Sequence, residues 1–542
     1  MSNAAPAAPD LLGWLLNRER DLSAVERYAR AHDRDPGAAG RWRDLIPLSA
    51  PRPGEQYAFE VDLDGCTGCK ACVTACHNLN GLDEDETWRA VGLLTGGTPA
   101  APYQQHVTTA CHHCVDPACM AGCPVEAYEK DPITGIVRHL DDQCIGCQYC
   151  TLTCPYDVPQ YSPSRGIVRK CDMCRSRLAV GEAPACVQAC PNEAIRITTV
   201  RTEQVVADNE AGRFLPGAPD PGITQPTTTF KTARDVPRNA LPVDWYSVRP
   251  ERAHPPLTLM LVLTQLAVGA FGVAAFSPLM SGDLAGLGRA HAALALIVGL
   301  LALGASVLHL GRPQYGFRAI LGFRRSWLSR EVIAFGGFAG LATLYAAVAW
   351  LGTPPRWLTA AVTTSGLVGV GCSIMVYVAC RRDGWRADLV AAKFLLTTVL
   401  LGAATTLAAL VVGVAIDPGA AGPARTLASQ LAQLLTVAAG GKLAFEIGLL
   451  AHLRDRRHGA LKRSAVLLVG RLRRLSATRF IAGALGGVAA PLCYLAAVDA
   501  VEPAGLAACA MVAWLACLAG ELLERHLFFV AAASPRMPGG AP

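Results

Sequence analysis

The 542-residue chain is short of two things that a soluble enzyme of its size has in quantity: aromatic residues make up 6% of it and charged residues 17%, against 52% hydrophobic. Soluble domains carry about a quarter charged residues, so a large part of the chain is not built to face water. Residues 1–50 lack the apolar core and small-residue cleavage site of a secretory signal, and Arg18-Glu19-Arg20 is not a twin-arginine pair. The expectation is therefore that the front half is not exported, which argues against a disulfide-stapled extracellular module. A basic stripe is missing too. The formal charge of +6 conceals 25 Lys+Arg against 32 Asp+Glu before Leu257, and 24 against 11 from there on. The basic residues of the back half sit in short loops between apolar stretches, which orients a membrane protein and argues against a nucleic-acid partner.

What the chain has in excess is cysteine. Sixteen of its twenty-one fall in four runs: Cys66, Cys69, Cys72, Cys76; Cys111, Cys114, Cys119, Cys123; Cys144, Cys147, Cys150, Cys154; and Cys171, Cys174, Cys186, Cys190. A loop of the CxxCxxC kind wraps three irons of a cubane while a distant cysteine caps the fourth, and in two-cluster ferredoxins that fourth cysteine belongs to the other cluster and precedes proline. Proline follows Cys123, Cys154 and Cys190, whereas His77 follows Cys76. Applied to nested pairs, the rule predicts four [4Fe–4S] clusters: Cys66, Cys69, Cys72 with Cys190; Cys171, Cys174, Cys186 with Cys76; Cys111, Cys114, Cys119 with Cys154; and Cys144, Cys147, Cys150 with Cys123. Structural zinc is the rival use of paired CxxC knuckles, though it seldom takes a further cysteine three residues on and then proline. Cys372, Cys380, Cys493, Cys509 and Cys517 lack ligand spacing and read as small apolar packing residues.

From Leu257 on, apolar stretches at about 257–278, 290–310, 331–351, 358–380, 389–415, 427–452, 480–499 and 504–530 each reach the roughly 20 residues that cross a bilayer. The loops after the second, fourth and sixth hold 17 Lys+Arg and those after the first, third, fifth and seventh hold 3, which predicts the former, both termini and the cysteine runs on the cytoplasmic side of the inner membrane. Haem b is not expected. His291 and His309 are eighteen residues apart, about 27 Å along a helix, and His452 and His526 lie towards helix ends. Lys442 and Glu446 stand four apart on one helix, where they form either a self-contained ion pair or part of a proton route, and Lys393 lies near the start of the fifth stretch.

The predicted organisation is an N-terminal helical segment (1–56) with amphipathic helices over residues 10–34, an α+β ferredoxin-like four-cluster domain (57–200), a Pro-rich linker (201–256) draped by way of Phe230, Trp245 and Tyr246, an all-α eight-helix transmembrane bundle (257–534) and a tail (535–542). Strands are expected at Tyr57–Leu63, Ile136–Leu140 and Gly166–Arg169, and the acidic run Asp83–Glu86 reads as a solvated loop.

With these four runs in this order, residues 57–200 resemble the four-cluster iron–sulfur subunit of DMSO-reductase-type molybdenum enzymes. His309-Leu310-Gly311-Arg312-Pro313, Ser326-Trp327-Leu328-Ser329-Arg330-Glu331 and Glu521-Leu-Leu-Glu524-Arg525 resemble the haem-less eight-helix anchor subunit of the same enzymes. The resemblance implies a wire of four clusters between a separate molybdopterin-bearing catalytic subunit and the membrane quinone pool, with His309, Gly311, Phe317 and Glu331 where the family handles quinone. Tyr315 departs from relatives that place arginine there. A histidine and a carboxylate at the membrane edge can relay the protons that quinone chemistry exchanges. Two other readings stay open: a self-sufficient quinone oxidoreductase fed by soluble ferredoxin or a flavoprotein, and a tether without quinone chemistry.

Overall fold

Strand β1 (Glu55–Asp62) is the spine of the front half. A computed structural model describes residues 38–280, 282–417, 419, 421–533 and 535–539; the amphipathic helices expected over residues 10–34 lie outside the described residues. β1 pairs antiparallel with β8 (Ile195–Arg201), Phe59 opposite Ile197, and parallel with β9 (Thr229–Lys231). A second sheet runs β10–β2–β3 (Leu241–Pro242, Ala90–Thr98, Ala101–Thr109), and two short hairpins, β4–β5 (Tyr128–Lys130, Val137–His139) and β6–β7 (Gln160–Ser162, Ile167–Arg169), bracket the third cysteine run. The cysteines are part of the core. Cys72, Cys111, Cys171 and Cys186 pack with Trp42, Phe59, Met173 and Ile197, and Cys123, Cys144 and Cys150 pack with Val125, Ile145, Ile167 and Val168.

Two sequence expectations need correcting here. Residues 201–256 are not simply linker: they hold a helix, Thr202–Glu210, and supply β9 and β10, one strand to each sheet. Strands of two or three residues are too short to show a period, and Pro242 is tolerated because β10 is an edge. Phe230 packs 5.6 Å from the Phe214 ring, and Trp245 is covered at 4.3 Å by the Arg463 guanidinium from the loop after membrane helix six. The acidic run is a solvated loop only at Glu84 and Asp85, which are exposed. Asp83 accepts hydrogen bonds from Ser162 (2.6 Å) and Ser164 (2.8 Å), and Glu86, buried, pairs with Arg169 at 2.8 Å.

Among the described residues the back half has eight helices long and apolar enough to span a membrane: 255–275, 282–307, 327–351, 356–378, 387–416, 421–454, 473–497 and 503–530. Helices one and five are 72% and 67% buried within the protein and the others 28–44%, so one and five are the interior pair. Their backbones meet where small residues permit: a Cβ on Gly269 would stand 2.0 Å from the Thr398 carbonyl oxygen. Helix seven is interrupted by a π turn at Leu485–Ala489, just before Pro491, whose missing N–H breaks the regular ladder. The tail folds back onto the front half, with Arg536 paired to Glu251 (2.5 Å) and Asp157 (3.2 Å), and the Leu93 N–H bonded to the Gly539 carbonyl.

Candidate iron–sulfur wire and membrane junction

Each cysteine run is wound by residues in left-handed conformation, which turn successive thiols towards one centre: Gly68 and Lys70 in the first run, His113 in the second, Gly146 and Gln148 in the third, Met173 and Cys174 in the fourth. The structure brings the sixteen thiols together in four sets. Cys66 lies within electrostatic reach of Cys72, Cys190 and Cys69; Cys174 of Cys186 and Cys76, with Cys171 within reach of Cys76 and Cys174; Cys119 of Cys154, Cys111 and Cys114; and Cys150 of Cys147, Cys123 and Cys144. One pocket is lined by Cys66, Cys69, Cys72 and Cys190, and another by Cys111, Cys114, Cys119 and Cys154.

These sites fit cubanes. Backbone amides are aimed at the sulfurs: Ala127 at Cys123 (3.3 Å), Gly146 at Cys144 (3.4 Å), Met173 at Cys171 (3.4 Å) and Ala194 at Cys190 (3.3 Å). Burial pushes the Cys76 and Cys154 thiols up to about 12 and Cys123 up to about 11. Thiolates there require the positive charge that iron supplies, and N–H···S bonds then tune the bound group's potential.

The third run sits on the anchor. Gly311 N–H bonds the Gly146 carbonyl at 3.4 Å and Arg312 N–H the Ile145 carbonyl at 3.0 Å; Arg312 and Arg318 reach the Asp141 and Asp142 carbonyls, and Arg382 those of Leu152 and Thr151. The contact is backbone on backbone, since a Cβ on Gly311 would stand 2.1 Å from the Gly166 carbonyl oxygen. Gly311→Val is therefore expected to raise hydrogen exchange at the Arg312 amide at least about tenfold by opening this seam, with iron content unchanged. Wild-type exchange in that variant would count against the seam. Tyr149, buried between Cys147 and Cys150 in sequence, donates its hydroxyl to the Val376 carbonyl of helix four at 2.6 Å.

The four residues expected at a quinone site are placed differently from one another. Glu331 is buried at the start of helix three, accepts a short hydrogen bond from the Ser373 hydroxyl and lies within electrostatic reach of Tyr149. His309 follows helix two, half-buried, with its ring against the Ser306 backbone, and burial holds its imidazole down to about 4. Gly311 is engaged with the third run, and Phe317 is 71% exposed beneath Arg318.

The self-contained Lys442–Glu446 pair is not formed. Lys442, fully buried, makes a short contact with Glu521 of helix eight, and Glu446 pairs with Arg479 of helix seven at 3.0 Å. Lys393 bonds Glu524 at 2.9 Å, and Arg525 lies 3.8 Å above the Phe394 ring. Four cations and three carboxylates thus share one buried cluster. Spacing along one helix reveals only same-helix neighbours, so Arg479 and the closing Glu521, Glu524 and Arg525 were not recognisable as its other members.

Residues 252–530 match the family model described as DMSO reductase anchor subunit (DmsC), and residues 103–200 that described as 4Fe-4S dicluster domain. The chain belongs to the DMSO reductase anchor subunit family. In front of that anchor it carries a second subunit's worth of sequence: it is 36% identical over 186 residues to the B subunit of the anaerobic dimethyl sulfoxide reductase of Haemophilus influenzae, a match covering 33% of this chain and 89% of that protein. It is also 35% identical over 208 residues to the hydrogenase-2 operon protein HybA of Escherichia coli (34% of this chain, 62% of HybA) and 32% identical over 177 residues to the formate dehydrogenase-O iron-sulfur subunit of Escherichia coli (30% and 59%). An iron–sulfur protein and a DmsC-type anchor are fused in one multi-pass membrane chain.

Proposed function

We propose that this chain is the electron-transfer and membrane-anchor subunit of a molybdopterin oxidoreductase complex, joining a separate cytoplasmic catalytic subunit to the membrane quinone pool through four [4Fe–4S] clusters held by the sixteen cysteines. The observation that carries it is the seating of the third run against helices two to four, with Tyr149 spanning from Cys147 and Cys150 to helix four beside Glu331. When bound, the clusters supply one-electron transfer.

The chain's own residues supply the rest. Quinol oxidation releases two electrons and two protons, and reduction takes up both. Glu331, held by Ser373, and His309, kept neutral by burial, are the proton-handling groups on the side of the bilayer where the clusters lie, so no electron crosses the membrane. The third run and residues 201–256 pack on the loops after helices two, four and six, which carry 17 of the 20 loop basic residues; that excess supports the cytoplasm as the clusters' side.

The test is purification of the intact complex from detergent extract with metal analysis. Stoichiometric molybdenum or tungsten in a co-purifying large subunit, with about sixteen irons per chain, is the expected result; an active preparation lacking both metals would overturn the reading. Nickel in the large subunit would point instead to a hydrogenase-type partner, the alternative that the likeness to HybA favours.

A further inference from the structure

Three buried side chains outside the cysteine runs stand between one quartet of thiols and the next. Arg89, 2% exposed, is the first. Its guanidinium faces Cys72 of one quartet and Cys186, Cys171 and Cys76 of its neighbour. It bonds Thr108 at 3.1 Å, and Thr108 in turn touches Cys72 Sγ at 3.6 Å. Its Nε and NH2 are buried without partners, and its other face lies 4.6 Å over the Phe59 ring.

Lys170, 3% exposed, is the second. Its ammonium lies 3.5 Å from Cys111 Sγ and is bonded to the Cys171 carbonyl at 2.8 Å and to the Val137 carbonyl. It also lines the cavity shared by Cys111, Cys114, Cys119 and Cys154, and so touches one quartet while belonging by sequence to the loop of another. Tyr128 is the third: its buried hydroxyl is directed at the Cys150 thiol and lies within electrostatic reach of Cys123 in the same quartet and of Cys119 in the next. In each case a polar group is buried at a cost that no acid or carbonyl fully offsets, at a boundary between two quartets.

We propose that Arg89, Lys170 and Tyr128 are junction residues that set the potentials of neighbouring clusters in pairs. Resting on the four-cluster reading above, the proposal assigns Arg89 to the Cys66/Cys190 and Cys174/Cys76 quartets, Lys170 to the Cys174/Cys76 and Cys111/Cys154 quartets, and Tyr128 to the Cys111/Cys154 and Cys144/Cys123 quartets. A thiolate-bound cubane gains negative charge on reduction. A fixed cation in a low-dielectric gap favours the reduced form on both sides, and it lessens the penalty of holding electrons on adjacent sites. Tyr128, being neutral, contributes a hydrogen bond alone, and its effect is smaller.

The experiment is potentiometric EPR on the purified complex. Lys170→Met is expected to lower two of the four midpoints, each by about tenfold in the reduction equilibrium, which is 59 mV for one electron, and to leave two unchanged. Arg89→Met should likewise lower two, and the two sets should have one cluster in common. Lys170→Arg, which retains the charge, should restore both midpoints lost in Lys170→Met. A shift confined to a single cluster, a uniform shift of all four, or two sets with no shared member overturns the proposal, as does a Lys170→Arg variant that behaves like Lys170→Met. Should Lys170→Met lose iron, the Arg89→Met pair and the position of Lys170→Arg relative to the wild type carry the decision. A wild-type preparation with far fewer than sixteen irons would count against the four-cluster reading itself, which separates that failure from failure of the pairing.

Discussion

Glu521→Ala is expected to destabilise the membrane bundle by about 3–5 kcal/mol, the penalty for removing one partner of a buried ion pair. The carboxylate contacts Lys442 through one oxygen and Arg479 through the other, at 3.0 Å, and accepts from Thr397 at 2.6 Å. Lys442 is wholly buried and Arg479 nearly so. Without Glu521, Lys442 would keep the neutral Thr397 hydroxyl at 2.6 Å and, as its carboxylate, only Glu524 at 3.8 Å, and Arg479 would keep Glu446 as its carboxylate. The cluster lies within the spans: Lys393, Arg479 and Glu521 are six to nine residues from their helix ends on the cluster-domain side, about 9 to 14 Å along the axis, so bulk water is not at hand to solvate a stranded charge. Glu446→Ala should cost less, because Glu446 is 8% exposed and Arg479 would keep Glu521. Lys442→Met combined with Glu521→Met should recover part of the loss, since the pair leaves together. Thermal unfolding in detergent measures all three. A midpoint for Glu521→Ala within about 2 °C of the wild type, the shift that only about 1 kcal/mol produces in a domain of this size, would mean the network is not what holds helices five to eight together.

That network marks the boundary of what sequence alone made legible. The cysteine runs were readable because a cubane's ligand spacing is local, fixed by a few residues of loop, and the proline after Cys123, Cys154 and Cys190 marks the return. The eight helices were readable because hydropathy over twenty residues is also a local property; observed spans lie within about eight residues of those read from composition. Contacts between elements were not. Lys442 and Glu446 share a helix face, yet helices seven and eight present Arg479 and Glu521 to them. The acidic run looked solvated because nothing near it in sequence is basic apart from Arg89; Arg169, which takes Glu86, is eighty-three residues on. Gly311 looked like a quinone-site residue by resemblance, and in the structure its absent side chain admits the Gly166 carbonyl. Phe230 was legible as an anchor, but the strand it belongs to, pairing with β1 through Val61, was hidden by its three-residue length.

Cys147→Ala should separate the two ends of the wire. Cys147 packs against the apolar core shared with the membrane helices and neighbours Tyr149, whereas Cys69, in the first run, is exposed to solvent. On the four-cluster reading proposed above, each substitution removes one ligand and is expected to lower iron from about sixteen to about twelve per chain. Their consequences differ by position. Cys147→Ala takes away the site beside Glu331, so entry of electrons from quinol should fall below about 1% of the wild-type rate, at least about 2.7 kcal/mol in the barrier, while the remaining sites still take electrons from dithionite. Cys69→Ala leaves the membrane end whole: quinol should still reduce the three remaining sites at near the wild-type rate, and only exchange with the catalytic partner should be lost. Stopped-flow absorbance with a quinol analogue distinguishes the two. Equal loss of quinol-driven reduction in both variants would contradict the order of the wire, and unimpaired reduction in Cys147→Ala would place the quinone-reactive end somewhere other than the seam between the third run and helices two to four.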